Sequence, residues 1–190
     1  MKSTRIREAR VDDCPQIANL FLISSDGLAG YIWNQVRRPG ESLDEVGAGR
    51  YARTGVDFSY ENCLVAEMGG EVCGMAHSYV MGASEDKVDD PVLRPYSELE
   101  DPGSLYISGI ALFPSRRKLG TGSALLDATH RRARAVGLSK VSLICMDQNE
   151  GAMRLYERNH YRETARRTIV PHPCLRYSEG DAVLMVKDLA

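Results

Sequence analysis

The run "RRKLGTGSALLDATHRRARAVG", residues 116–137, sets two glycines two positions apart, behind three basic residues and ahead of an amphipathic stretch. These residue types suit an anion, and a phosphate above all. The first turn of a helix presents unpaired N–H groups and partial positive charge. Gly120 and Gly122 would let that backbone approach a ligand closely, and Arg117 would add bidentate contacts. Two better-known phosphate loops do not match. A P-loop follows its last glycine with Lys-Ser/Thr, where this chain has Ser123-Ala124, and a dinucleotide fingerprint has a third glycine where Leu125 stands. Taken alone, G-x-G is a weak signal, so the elements around it must decide.

The preceding segment "SLYISGIALF" (104–113) is β-rich and closes on Pro114, which stops ladder pairing. The helix expected after the glycines would bury Leu126, Thr129, Ala133 and Val136, a 3-and-4 pattern, and stop at Gly137. "KVSLICM" (140–146) reads as a buried strand, residues 149–160 as a second helix, and "YRETARRTIV" and "AVLMVKDL" as closing strands. Upstream, residues 4–10 alternate as a first strand, and Asp12 or Asp13 would cap a helix with Pro15 in its first turn. Residues 24–60 predict one or two helices. "NCLVAEMGGEVCGMAHSYVM" predicts a hairpin turning at Gly69-Gly70. The proline-broken loop 82–103 has the length of a lid or binding loop. Strands and helices mix along the whole chain without a repeat or linker, which predicts one α/β domain over residues 1–190.

Several ordered pieces now stand in a row. They are Ile110-Ala111-Leu112, then R-x-x-G-x-G at 117–122, an amphipathic helix, a strand, Asn149, Ala152, Tyr156 and His160-Tyr161. In this order and spacing the chain resembles the GNAT superfamily of acyl-CoA-dependent N-acetyltransferases, most closely over residues 104–165. The resemblance implies a mixed α/β fold, with a central, mostly antiparallel twisted sheet splayed at the cofactor site and helices on both faces. It implies acetyl-CoA as acyl donor, its pyrophosphate lying on the backbone of Lys118, Leu119, Gly120, Thr121, Gly122 and Ser123 beside Arg117. By the same resemblance the Ile110 N–H polarises the acyl carbonyl, Ala111 lies between it and Leu112, and Leu112 pairs with the pantetheine amides. Asn149 would bond the pantetheine arm, and Tyr156 would be the general acid for the departing thiolate.

The chemistry agrees with these roles. A tyrosine of pKa about 10 is protonated at neutral pH and can donate to a thiolate whose acid has pKa near ~8.5. Without the resemblance, Tyr156 on an apolar helix face with Ala152 and Leu155 would read as a core tyrosine, and Asn149 as an N-cap. One departure is His160, where the family has glycine before its final aromatic; histidine is among the few residues that tolerate positive φ. A second is the general base. Some relatives carry a glutamate five residues before the asparagine, and here that position is Ile144. An amine of pKa ~10.4 costs about 4.6 kcal/mol to deprotonate at pH ~7, so a base matters. Glu100 is the residue chosen for it, with Glu98, Asp101, Asp147 and His77 as further candidates.

Bulk properties narrow the partners. The formal net charge is −2, with 43% hydrophobic and 26% charged residues, which gives no general pull toward nucleic acid or membrane. Locally, seven acids face two bases over residues 83–101, and seven bases face one acid over 104–140. The acidic loop would favour a cationic acceptor, so a small-molecule or peptide amine is expected, and a homodimer is left open. Five scattered cysteines without C-x-x-C predict free thiols in a cytoplasmic protein, and neither they nor the four histidines have metal-ligand spacing. The other reading of the same fold is a non-catalytic acyl-CoA-binding or sensing domain. Trp33, Tyr31, Tyr51 and Phe58 would be core residues, or else the lining of an acceptor pocket.

Overall fold

The computed structural model describes residues 4–83, 88–117 and 119–189. Among these, seven strands and six α-helices form a mixed α/β fold around an open seven-stranded sheet. The elements run β1 (Thr4–Glu8), α1 (Cys14–Ser24), α2 (Leu28–Val36), α3 (Leu43–Tyr51), β2 (Cys63–Met68), β3 (Glu71–Val80) and α4 (Arg94–Ser97). There follow β4 (Leu105–Leu112), α5 (Thr121–Ala135), β5 (Lys140–Met146), α6 (Glu150–Arg158), β6 (Arg162–Thr168) and β7 (Asp181–Asp188). The strand order is β1-β2-β3-β4-β5-β7-β6. The pairs β1–β2, β2–β3, β5–β7 and β6–β7 are antiparallel. β4 and β5 are parallel, and their ladder runs from Leu105↔Val141 to Ile107↔Leu143. The chain divides into two compact units, Met1–Ser78 with Gly109–Thr129, and Tyr79–Ser108 with His130–Ala190.

In the first unit the main core gathers α1, α2 and α3 against β2 and β3. Phe21 stacks on Trp33 at 5.9 Å and meets Tyr51 and Phe58 edge-on, each at 5.7 Å. Trp33 and Tyr51 are buried and Phe58 packs against them, so these three aromatics serve the core rather than an acceptor pocket. Each such side chain contributes on the order of 1.5–3 kcal/mol of burial. Gly47 is fixed by the same packing, since a Cβ there would run into Trp33 and Ala18. The hairpin turns at Gly69 and Gly70 with φ of 66° and 86°, values that suit glycine.

The start of α1 differs from the expected cap. Asp13 does precede the helix, and Pro15 sits in its first turn. Its carboxylate, however, accepts two hydrogen bonds from Arg7 (2.7 and 3.0 Å) and one from the Arg10 N–H (2.8 Å). The charge of Arg7, placed between Asp13 and Glu67, outweighs a helix N–H as partner.

In the second unit Leu99, Met146, Ile169, Ala182 and Leu184 form a smaller core. The Ser104 and Ser142 hydroxyls pair at 2.6 Å across β4 and β5. The expected buried face of α5 holds at Leu126, Thr129 and Ala133, each fully buried. Val136 does not belong to it and is 56% exposed. The helix ends at Ala135 and Gly137 turns the chain at φ 78°, so the helical period no longer applies at Val136. All five cysteines are free thiols, four of them buried.

Candidate functional site

The end of β4 is positioned by packing on both sides. Ala111 joins the main core, whereas Ile110 and Leu112 pack against a cluster of Leu64, Ala66, Cys73 and Ala76 with Leu125 and Ala128 of α5. Gly74 allows close approach, because a Cβ there would meet the Ala111 carbonyl oxygen at 2.9 Å and the Leu112 side chain closer still. The Phe113 N–H donates to the Cys73 carbonyl at 3.0 Å, and the chain then turns through Pro114–Arg116. Arg117 donates from Nε to the Leu112 carbonyl at 3.2 Å, which lays its side chain along the strand end.

Gly120 turns at φ 78° into α5. The Ala124 N–H is bonded to the Gly120 carbonyl at 3.1 Å, so the N–H groups of Thr121, Gly122 and Ser123 precede the intrahelical ladder. The first turn carries no acidic residue. Leu125 and Ala128 anchor this helix start beside Ile110 and Leu112. Ile110, Ala111, Leu112, Arg117, Leu119, Gly120, Thr121, Gly122 and Ser123 therefore share one unit; Lys118 lies outside the described residues. The arrangement is an apolar strand end leading into a positively polarised helix start, which suits an elongated ligand with an anionic end.

Asn149 and Tyr156 belong to α6, in the second unit. Asn149 is the N-cap, its Oδ1 accepting from the Ala152 N–H at 3.3 Å. Tyr156 is 7% exposed, and its ring meets that of Tyr161 edge-on at 5.8 Å. The buried Tyr161 hydroxyl lies 2.9 Å from His130 Nε2, and burial pushes the Tyr161 phenol pKa up. Between α6 and Tyr161, His160 adopts φ 64°, a left-handed turn that favours glycine. The polar pair His130–Tyr161 was not foreseen; only the tyrosine in place of an apolar aromatic hinted at it.

Two acids of the loop are paired with bases distant in sequence. Glu98 pairs with Arg167 at 2.8 Å and Asp101 with Lys140 at 2.7 Å. Asp90 Oδ1 accepts from the Val92 and Leu93 N–H groups at the approach to α4. Glu85, Asp86 and Lys87 lie outside the described residues. Glu100 is exposed, makes no ion pair among the described residues, and has its carboxyl pKa raised by desolvation. Three tyrosines of the same unit were passed over by sequence reasoning. Burial pushes the Tyr106 phenol pKa up, and Tyr79, Glu100 and Tyr96 add to that electrostatically. The rings of Tyr79 and Tyr106 meet edge-on at 5.6 Å, and the Tyr96 hydroxyl reaches Met146 Sδ at 3.9 Å.

The other base candidates fare differently. His77 is fully buried among Phe21, Tyr51 and Phe58. Its Nε2 lies 2.9 Å from the Asp57 carbonyl, which can only accept, so that nitrogen carries the proton. Its Nδ1 faces the Tyr51 hydroxyl at 3.4 Å, which makes His77 a core residue. Ile144 packs on the second unit's core. Asp147 Oδ1 is buried against Gly180 without a hydrogen-bond partner among the described residues. A cleft in the first unit, lined by Arg7, Asp13, Glu71, Cys73, Phe113 and Arg116, holds none of the expected site residues.

The family model described as "Acetyltransferase (GNAT) family" matches residues 31–161, more than half of the chain. Among solved structures, an acetyltransferase aligns over 98% of this chain and all of its own, at 24% identity and TM-score 0.67. An N-acetyltransferase from Staphylococcus aureus aligns over 96% of this chain and all of its own, at 19% identity and TM-score 0.66. The protein yncA from Salmonella typhimurium, solved with its cofactor acetyl-CoA, aligns over 99% of this chain and 95% of its own, at 21% identity and TM-score 0.63. No curated protein matches the sequence.

Proposed function

The chain belongs to the acetyltransferase (GNAT) family, and on that premise we propose that residues 1–190 form one domain that moves an acetyl group from acetyl-CoA to a primary amine. The observation that carries this is the start of α5. Its N–H groups precede the helical ladder, no acid stands in its first turn, and its packing ties it to Ile110 and Leu112. The residues present thus fit the anionic end and the extended arm of the cofactor. The yncA structure, solved with acetyl-CoA on a similar fold, lends support. No helix among the described residues is long and apolar enough to cross a membrane, and a cytoplasmic setting suits five free thiols.

Acetyl-CoA supplies the acyl group as a thioester. The backbone N–H groups from Leu119 to Ser123, with Arg117 and Lys118, hold its pyrophosphate. Leu112 holds the pantetheine amides, and Asn149 adds a bond to the same arm. The Ile110 N–H donates to the acyl carbonyl oxygen, a contribution of about 3 kcal/mol for one such donor in a dry site. As the amine nitrogen bonds the carbonyl carbon, the carbon–sulfur bond breaks. The nitrogen's proton passes to Glu100, directly or through water, and the Tyr156 phenol proton passes to sulfur. Desolvation of Glu100 raises its proton affinity, which brings it closer to that of the amine it serves.

Tyr156→Phe tests the assignment. A loss of turnover by about 100-fold or more with acetyl-CoA affinity retained is expected, within the usual range for one general acid. Full turnover in the variant would remove Tyr156 from the chemistry. A wild-type protein that binds acetyl-CoA and acetylates no amine would be the sensing domain instead.

A further inference from the structure

The cleft of the first unit has a charge pattern of its own. Its volume is about 480 Å³, within the range of small-ligand sites. The approach to α1, the start of β3 and the turn after β4 build its wall, and all of them lie in one unit. Val72 and Phe113 line it as half-buried apolar side chains packed on the main core, whereas Ile110 and Leu112 pack on the other cluster.

Two charged side chains of the wall are saturated by protein partners. Arg7 donates to Asp13 at 2.7 and 3.0 Å, to Glu67 at 2.8 Å and to the Glu8 carbonyl at 3.1 Å. Asp13 also accepts from the Arg10 N–H at 2.8 Å. The other charges of the wall are not satisfied. The Arg116 guanidinium stands 3.8 Å from the Glu71 carboxylate, beyond hydrogen-bond range, and otherwise meets the Met68 sulfur at 3.6 Å. The Asp12 carboxylate, in the same wall, has no hydrogen bond or ion pair among the described residues.

A guanidinium and a carboxylate side by side but unbonded match a ligand whose own opposite charges are adjacent. A simple anion would bond Arg116 and be repelled by Glu71 and Asp12, and a simple cation would meet the reverse conflict. We propose that this cleft binds a free α-amino acid with an apolar side chain. Its carboxylate takes the fork of Arg116, its ammonium takes Glu71 with Asp12 beside it, and its side chain lies on Val72 and Phe113. The site goes beyond the acetyl-transfer reading and does not depend on it.

The test titrates the isotope-labelled full chain, without acetyl-CoA, and follows its backbone amide shifts by NMR. The probes are L-leucine, isopentylamine, which lacks the carboxylate, and 4-methylpentanoate, which lacks the ammonium. Leucine should move the amides of Val72, Phe113 and Arg116 with a Kd of about 1 mM or tighter. Each fragment should bind at least about tenfold more weakly, the factor expected for losing a hydrogen-bonded charge. Arg116→Gln should weaken leucine by the same factor. If that variant does not fold, Glu71→Gln, at a side chain 79% exposed, reads the ammonium side instead. The proposal is overturned by an absence of shifts at about 10 mM leucine, weaker than any specific small-ligand site. Shifts centred elsewhere, a fragment that binds as well as leucine, or wild-type affinity in the folded variant would also overturn it.

Discussion

Gly74→Ala would drive a methyl group into the side of β4. The added Cβ would stand 2.9 Å from the Ala111 carbonyl oxygen, whereas ordinary contact begins at 3.4 Å, so about 0.5 Å must be found. The Leu112 side chain lies closer still and can rotate, but the Ala111 carbonyl is backbone and moves only with its strand. Overpacking of this kind costs about 1–3 kcal/mol, and replacing a strand glycine returns about 0.5–1 kcal/mol through lower unfolded-state entropy. The net expectation is a loss of about 1–2 kcal/mol, or a Tm fall of roughly 2–8 °C for a chain of this size. The displaced segment includes Ala111 and Leu112, so acetyl-CoA affinity should weaken by about fivefold or more. Thermal melts and calorimetric titration measure the two effects. Gly49→Ala is the control: Gly49 is exposed in α3 with nothing within 4 Å of an added Cβ, so alanine there should stabilise by up to ~1 kcal/mol. A Gly74→Ala protein that melts at or above wild type would refute the argument that this glycine sets the position of β4.

His160→Gly should stabilise by up to about 1 kcal/mol in denaturant unfolding, because relief of the left-handed strain exceeds the entropic cost of glycine; a destabilised variant would mean that the His160 side chain matters more than its φ. Tyr161→Phe should cost about 1–3 kcal/mol by removing the hydroxyl beside His130 in a buried site, read from the same unfolding curves. Glu100→Gln has two signatures. The folded protein holds the Glu100 proton more tightly than the unfolded chain, so its stabilising effect is present at low pH and lost as pH rises through the raised pKa. The variant should therefore melt higher than wild type at pH ~7, with the gap closing below pH ~4. In kinetics it should lower kcat/KM mainly at pH below the amine's pKa, and unchanged pH–rate behaviour would remove Glu100 as base.

Long periodic elements were the most legible. β5 begins and ends where the pattern "KVSLICM" does, and Gly137 stops α5 as a left-handed glycine should. The Gly69-Gly70 hairpin, the two helices of residues 24–60 and the left-handed turn at His160 also follow from local chemistry. Two expectations failed because a remote partner or a chain turn intervened. Asp13 is held by Arg7, six residues earlier, rather than by the helix that follows it, and Val136 falls past a helix end that periodicity alone does not mark. Composition alone makes the acidic loop a uniform field, whereas Arg167 and Lys140, distant in sequence, pair with Glu98 and Asp101. Tyr79 and Tyr106 lie apart in the chain, so their edge-on ring contact belongs to the fold and not to any motif.

Calorimetric titration of the folded protein with acetyl-CoA tests the central claim most directly. The account predicts micromolar binding at one site per chain, weakened in Gly74→Ala and kept in Tyr156→Phe. Absence of binding by a protein shown to be folded would contradict the assignment of the β4 end and the α5 start to this cofactor.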